Sequence, residues 1–178
     1  PLEGKIPPVP HKNRSDSDMK THTLWSGNNI GLLTGKRSNL TVIDLDTPRG
    51  ERGEDGIQNF KNIIALAEGV PSLPDNDQWA KSLGVPVVKT PTGGYHLYYP
   101  QDERLEENFG DKHNLGQNVD VKNWRGCIVA PPSVYPGCKN RCGECFKCKV
   151  RGKKYRWLVR PRKPKPMPEI VVQLILGE

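Results

Sequence analysis

Alternating apolar and polar residues predict that most of this chain forms short β-strands. Runs with this pattern occur at 29–35, 41–46, 87–90, 95–99, 118–122, 126–130 and 155–159. Four polar residues, 36–39, separate the first two runs, and a Pro-Thr-Gly-Gly turn, 91–94, separates the next two. Each of these pairs predicts a β-hairpin. A tight turn joins the runs at 118–122 and 126–130.

One segment has the three- and four-residue spacing of an amphipathic helix. Its apolar positions are Ile57, Phe60, Ile63, Ile64 and Ala67. Gly69 and Pro71 end it, and residues 79–83 predict a short second helical turn. Further on, the Pro-rich stretch 160–168 predicts a stiff extended linker before an apolar segment, 170–176. Because that segment stops at once, we expect a larger parent protein.

The composition indicates one compact domain with many loops. The chain has 178 residues, including 17 Pro and 18 Gly. It contains no apolar run close to the roughly 18 residues needed to span a bilayer, and its N-terminus has no signal-peptide pattern. We therefore expect a soluble intracellular protein.

The positive charge is concentrated in one segment. The net charge is +7, but residues 139–165 alone carry twelve Lys or Arg and one acid, Glu144. The rest of the chain therefore has a net charge near −4. A concentrated basic segment favours a polyanion as partner, although a merely solvated basic tail is the alternative.

Two carboxylates lie two residues apart in the apolar run at 41–46. Side chains of a strand alternate between its faces, so Asp44 and Asp46 project from one face while Ile43 and Leu45 project from the other. Adjacent carboxylates repel each other unless a cation lies between them. An Asp-x-Asp pair is weak evidence by itself, but at the end of so apolar a strand it suggests a divalent-metal platform.

Two other predicted strands carry polar residues of the same kind. Asp120 and Lys122 alternate with valines, and His96 alternates with Tyr95 and Leu97, so each projects from the polar face of its strand. If the sheet places these strands beside Asp44 and Asp46, three carboxylates, an imidazole and an ammonium group converge. Three acids can hold two Mg²⁺ or Mn²⁺ ions for phosphoryl or nucleotidyl transfer.

The turn before His96 suits a phosphate group. Gly93 and Gly94 let backbone N–H groups approach an anion closely, and Thr90 and Thr92 add hydroxyl donors. A triphosphate lying across this turn could also be contacted by His96. The alternative is an ordinary Gly-Gly hairpin turn followed by a half-buried histidine.

Four cysteines form a compact group. Cys138, Cys142, Cys145 and Cys148 lie within eleven residues, a spacing that favours a tetrahedral Cys₄ zinc site. Disulfides and an iron–sulfur cluster are the alternatives. The fifth cysteine, Cys127, lies in an apolar strand and is expected to be an inert core residue.

The ordered set of motifs resembles the bifunctional DNA primase/polymerase family of the archaeo-eukaryotic primase superfamily. The resemblance covers about residues 4–159. Its motifs are Asn-Ile-Gly at 29–31, Val-Ile-Asp-Leu-Asp at 42–46, Thr-Pro-Thr-Gly-Gly-Tyr-His-Leu-Tyr-Tyr at 90–99, Asn-Val-Asp-Val-Lys at 118–122, Val-Ala-Pro-Pro-Ser at 129–133 and Tyr-Arg-Trp at 155–157. Each motif is weak by itself, whereas the complete order is specific.

The resemblance implies an α+β fold (an α/β two-layer fold). An archaeo-eukaryotic primase-like catalytic core would contain an RNA-recognition-motif-like sheet packed against a second α/β layer. Asp44 and Asp46 fall on the first acidic motif and Asp120 on the third, which implies that these residues bind two Mg²⁺ or Mn²⁺ ions. His96 falls on the histidine of the second motif, which contacts the phosphates of the incoming nucleotide.

Other residues near the implied nucleotide site match the family less closely. Lys122 and Arg125 are candidate phosphate-binding cations, in a turn that varies within the family. Gly94 stands where some superfamily members have Ser, so the resemblance does not carry a side-chain hydroxyl to this position.

The implied function is template-directed synthesis of primers and extension of DNA, in the replication of a mobile element or virus. We expect residues 1–160 to be the catalytic domain, with 138–154 as a zinc-binding basic insertion, and 161–178 to be a linker and the start of a C-terminal segment. The expected partners are single-stranded DNA template and primer, NTP or dNTP, and a downstream helicase domain. The expected location is the host cytoplasm or a replication complex. A non-catalytic zinc-knuckle nucleic-acid-binding module and a metal-dependent nuclease are the alternatives.

Overall fold

A computed structural model describes residues 29–48, 55–105, 115–124, 126–138, 142–160 and 163–178. Within these ranges the strands are β1 (Ile30–Leu33), β2 (Thr41–Leu45), β3 (Val87–Lys89), β4 (Tyr95–Tyr99), β5 (Val119–Lys122), β6 (Cys127–Ala130) and β7 (Arg156–Val159). The α-helices are α1 (Gly56–Glu68), α2 (Gln78–Ser82), α3 (Phe146–Lys149) and α4 (Glu169–Leu176). The chain is therefore a mixed α/β protein with antiparallel sheets.

The main sheet has five strands in the order β5-β2-β4-β3-β7, and each neighbouring pair is antiparallel. Strands β3 and β4 form the hairpin that the sequence predicts. Because β4 lies between β2 and β3 and opposes both, β2 and β3 run in the same direction on either side of it. With α1 and α2 in the connection, this is a split β-α-β arrangement.

The predicted hairpin between the first two strands is wrong. Strand β1 pairs with β6 in a separate two-stranded sheet, while only an isolated bridge between Gly35 and Leu40 closes the turn before β2. The same pairing separates β5 and β6, which the sequence placed around one tight turn. The reason is burial, because the small sheet packs Leu32 and Ile128 into a cluster with Val42 of the main sheet.

Helices α1, α2 and α4 cover the opposite face of the main sheet. Helix α1, predicted from its apolar spacing, begins at an Asp55 cap whose Oδ1 accepts a hydrogen bond from Ile57 N at 2.9 Å, and it ends at Gly69 in the left-handed conformation. Phe60 and Ile64 of α1 are buried against Ile43 and other side chains of this face. The two faces of the sheet therefore carry two separate apolar clusters.

The C-terminal helix belongs to the same core. Val171, Val172 and Ile175 of α4 are at most 2 % exposed and pack in the cluster on the helix-covered face. Arg104 also binds α4, with Nη1 2.6 Å from Oε1 of Glu169. The division of the chain at residue 160 stays a prediction. Among the described residues, no helix combines the length and apolarity required to cross a membrane.

Candidate functional site

The register of the main sheet brings three of the predicted site residues side by side. Asp44 of β2 lies opposite His96 of β4 on one side and opposite Asp120 of β5 on the other. All three project from the face that the helices leave uncovered, which we call the acidic face. Val42, Tyr98, Lys122 and Val88 lie on the same face in register with them. The alternation of side chains along each strand predicts these orientations. The order of the strands in the sheet makes the three residues neighbours.

Asp44 and His96 form a direct pair. Nε2 of His96 lies 3.4 Å from Oδ1 of Asp44. The His96 side chain is 5 % exposed and that of Asp44 is 20 % exposed, so the imidazole is inside the protein while the carboxylate still reaches solvent. The open side of the Asp44 carboxylate can therefore accept a cation, whereas it repels a negatively charged group.

The other acidic residues lie on either side of this pair. Asp120 is half exposed, and its Oδ2 accepts a hydrogen bond from Nζ of Lys122 at 3.0 Å. Asp46 follows the end of β2, where its main-chain N–H donates to the Asn118 carbonyl at 2.9 Å and continues the pairing of β2 with β5. Asp46 is half-buried. The predicted carboxylates therefore occupy one end of two adjacent strands.

These carboxylates are neighbours rather than a closed cluster. Within the described residues, the group of possible metal ligands whose donor atoms all lie within 4.8 Å of one another is the cysteine group. Like charges repel, and the carboxylates turn towards the protein's own donors, Asp44 to His96 and Asp120 to Lys122. Oxygen ligands from carboxylates that partly reach solvent are the donor set that Mg²⁺ and Mn²⁺ prefer.

Aromatic rings enclose His96 on the acidic face, and the sequence reasoning missed their role. The ring centroid of His96 lies 5.7 Å from that of Tyr155 and 6.4 Å from that of Tyr98. Burial, with a further contribution from the negative charge of Asp44, raises the pKa of both tyrosines above its usual value. Both hydroxyls therefore stay protonated near the acidic residues. Strand alternation could have placed Tyr98 beside His96, whereas Tyr155 reaches it from a distant part of the chain.

The Gly-Gly turn lies against the end of β2. A Cβ added to Gly94 would lie 2.2 Å from the carbonyl oxygen of Leu45, and Gly93 has a φ of +95°. Thr47 Oγ1 donates to the carbonyl of Thr92 at 3.1 Å, and the hydroxyls of Thr90 and Thr92 are 3.0 Å apart. Only glycine fits at position 94, so the turn is held close to the acidic residues by backbone contact.

Of the remaining predicted nucleotide-binding residues, Thr92 and Lys122 lie on opposite sides of Asp44, whereas Arg125 falls outside the described residues.

The four predicted zinc ligands converge. Sγ of Cys138 lies 3.7 Å from that of Cys142 and 3.2 Å from that of Cys148, and the last two are 3.8 Å apart. A tetrahedral site with Zn–S bonds of about 2.3 Å has sulfur–sulfur edges of about 3.8 Å. All five cysteines of the chain are described and none is in a disulfide. The four clustered cysteines could hold a metal ion such as zinc.

The thiols of this cluster differ in their pKa. Hydrogen bonds, first of all from the Cys145 backbone, lower the pKa of Cys142 to about 6. The bond that Cys145 makes to the Cys142 sulfur raises the pKa of Cys145 to about 11. Gly143 N also donates to Cys148 Sγ at 3.3 Å. Backbone N–H groups aimed at sulfur favour the thiolate form that binds metal.

We call the segment from Cys138 to Cys148 the cysteine knuckle. The chain segments before and after it are hydrogen-bonded to each other. Tyr135 N donates to the Lys153 carbonyl at 2.8 Å, and Gly152 N donates to the Tyr135 carbonyl at 2.9 Å. The second segment continues into Tyr155, which is 2 % exposed and packs against His96. A short length of chain therefore connects the cysteine knuckle to a ring that packs against His96, the neighbour of Asp44. Cys127 in β6 is half-buried and lies outside the cluster.

Comparison with known proteins gives one family. The family model described as "Bifunctional DNA primase/polymerase, N-terminal" (Prim-Pol) matches residues 1–170. The search of curated proteins found no match.

Proposed function

The chain belongs to the bifunctional DNA primase/polymerase family, and from this premise we propose that it is a template-directed nucleotidyltransferase that makes and extends DNA primers. Family membership supports primase/polymerase activity and implies DNA and nucleotides as substrates. The observation that carries the proposal is the register of Asp120, Asp44 and His96 across three adjacent strands, beside the Gly-Gly turn. The split β-α-β order of the sheet supports an archaeo-eukaryotic primase-like core with an RNA-recognition-motif-like sheet.

We propose that Asp44, Asp46 and Asp120 bind two Mg²⁺ or Mn²⁺ ions. Their carboxylates are hard oxygen ligands at one end of β2 and β5, and all three reach solvent at least in part. Bound there, the ions would lower the pKa of the primer 3′-hydroxyl and stabilise negative charge at the α-phosphate. When no substrate is bound, the Lys122 ammonium, 3.0 Å from the Asp120 carboxylate, holds this carboxylate in place.

The phosphates of the incoming nucleotide would lie between the Gly-Gly turn and His96. Gly94 and Thr92 offer a backbone N–H group and a hydroxyl at the end of β2, while the Gly93 N–H closes the turn by donating to the Thr90 carbonyl at 3.1 Å. His96, held by Asp44 and the Tyr155 ring, would orient the β- and γ-phosphates. Lys122, together with Arg125, would add positive charge. These donors position the triphosphate in line, and no covalent nucleophile is needed.

The cysteine knuckle would hold zinc and contact the template or primer backbone. Residues 139–165, which comprise most of the knuckle and the segment that follows it, carry twelve Lys or Arg against one acid. Phosphate contacts by Lys and Arg give sequence-independent affinity, which a primase requires on any template. The context that the family resemblance suggests, replication of a mobile element or virus with a helicase domain in the same parent protein, is part of this proposal.

Nucleotide incorporation on a primed template tests the proposal directly. With Mn²⁺ or Mg²⁺ and all four dNTPs, we expect template-dependent elongation of a labelled primer. Shortening of the primer would instead indicate the metal-dependent nuclease. Binding of the primed template without any change in its length would indicate a non-catalytic zinc-knuckle module.

The Gly-Gly turn gives a second test. Replacing Gly94 by Ser should raise the KM for dNTP several-fold, because a side chain there collides with the Leu45 carbonyl and pushes the turn away from the acidic residues. The measurement is steady-state primer extension at varied dNTP concentration. Gln173→Ser is the control, because Gln173 is exposed on α4, which packs on the other face of the sheet. An unchanged KM in Gly94→Ser would remove the turn from the nucleotide site.

A further inference from the structure

The cysteine knuckle exposes an aromatic ring. Phe146 is 58 % exposed, whereas the other described aromatic side chains are buried or half-buried. It lies between the clustered thiols of Cys145 and Cys148, at the start of α3. A metal ion bound by the four thiols would fix the backbone on both sides of the ring. A single exposed apolar side chain is common on protein surfaces, so a function for this ring depends on the side chains that accompany it.

Exposed cations follow this ring in the sequence. The exposed basic residues of α3 and the segment that follows it are Lys147, Lys149, Arg151, Lys153 and Lys154. The stem of Arg151 is packed along the backbone of Gly137, where a Cβ would lie 3.3 Å from three of its carbons. The described part of this region contains one acid, Glu144. The exposed surface is therefore one aromatic ring among cations rather than an apolar patch.

We propose that Phe146 is a stacking platform for a base of single-stranded nucleic acid, with Lys147, Lys149 and Arg151 binding the flanking phosphates. This inference rests on the proposed function, which requires an unpaired template strand. An aromatic ring beside backbone-binding cations is the combination with which proteins hold single strands without reading their sequence. In a duplex the bases are already stacked on each other, so the ring would have no base to stack on.

The proposal gives distinct effects for the ring and for the cations. Phe146→Ala should weaken binding to a short oligo(dT) by about five- to 150-fold, because one stacked base is lost. The slope of log K against log salt should not change, since no charge is removed. The double variant Lys147→Gln/Lys149→Gln should instead reduce that slope by about 1.4, for two lost phosphate contacts on a single strand. Neither change should alter zinc content.

Two further variants make the test specific. Phe146→Trp should keep the affinity of the unchanged protein, and oligo(dT) should quench the fluorescence of the new indole more than that of the parent. Leu66→Ala removes an apolar side chain that is 72 % exposed on α1 and should leave the affinity unchanged. Binding of a blunt duplex should be equal in Phe146→Ala and the unchanged protein.

The test of the stacking platform is independent of the test of polymerase activity, because DNA binding is measured without nucleotides. Equal oligo(dT) affinity in Phe146→Ala and the parent, with normal zinc content, would overturn the stacking platform even if primers are extended. An equal loss on duplex and single strand would also overturn it. A selective loss of single-strand binding in a protein that extends no primer would leave the platform standing and reject the polymerase.

Discussion

Replacing Asp44 by Ala should slow nucleotide addition by at least about 10³-fold while the protein stays folded. Asp44 is the central residue of the acidic face, in register with both Asp120 and His96. Its loss removes a proposed metal ligand and the carboxylate that lies 3.4 Å from the imidazole. Asp120→Ala should have a comparable effect. The measurement is single-turnover primer extension with Mn²⁺, which separates chemistry from product release.

The fold should not depend on this carboxylate. Asp44 lies near Asp46 and Asp120, so its removal relieves repulsion between like charges, and Tm should be unchanged to within about 4 °C. Glu103→Gln, in an exposed 3₁₀ turn, is the matched control and should extend primers normally. Stabilisation by Mn²⁺ with dNTP should disappear in Asp44→Ala. Primer extension at the parent rate in either Asp variant would remove these residues from the catalytic site.

The local elements could be predicted where the physical reason is local. The hairpin of β3 and β4 follows from two apolar runs around a Gly-Gly turn, and α1 follows from the spacing of its apolar residues. The pairing of β1 with β6 could not be predicted this way, because almost 100 residues separate the two strands. A short polar turn favours the hairpin, but burial of Leu32 over Val42 decides the pairing.

The same distinction holds for the candidate site. Alternation showed that Asp44, His96 and Asp120 each project from the polar face of a strand. Only the strand order β5-β2-β4 makes them neighbours, and that order follows from how the whole sheet buries its other face. The aromatic enclosure was missed for the same reason, because Tyr155 comes from beyond the cysteine knuckle and reaches His96 through the tertiary fold.

The acidic face has an apolar, buried end and a charged end that reaches solvent. At one end, Val42 and Tyr98 pack under the small sheet in an apolar cluster that also contains Tyr135, Val150 and Tyr155. At the other end, Asp44 and Asp120 reach solvent. The apolar end anchors both segments that carry the cysteine knuckle. A structural change in the knuckle should therefore not extend beyond these buried residues, and the acidic residues should keep their positions.

Removing the zinc that we propose for the cysteine knuckle should weaken single-stranded DNA binding by about tenfold or more and leave the main sheet folded. None of the described residues at 138 and 142–149 is buried, so the knuckle has no apolar core and its order depends on the four thiols and their metal. Without that link the basic side chains lose their fixed spacing. Because fewer phosphates are then contacted together, the dependence of affinity on salt should also become shallower.

Paired cysteine variants provide the measurement. Cys142→Ser/Cys148→Ser should lose zinc and DNA affinity together, with amide exchange becoming faster within residues 138–149 and staying slow in β2 and β4. Cys127→Ser, outside the cluster, should keep both zinc and affinity. Extension of a primer at saturating DNA should be reduced far less than binding, because Val150 and Tyr155 remain buried and hold the segment that touches His96. Zinc-free protein that binds DNA with the parent affinity and salt dependence would limit the metal to a structural role.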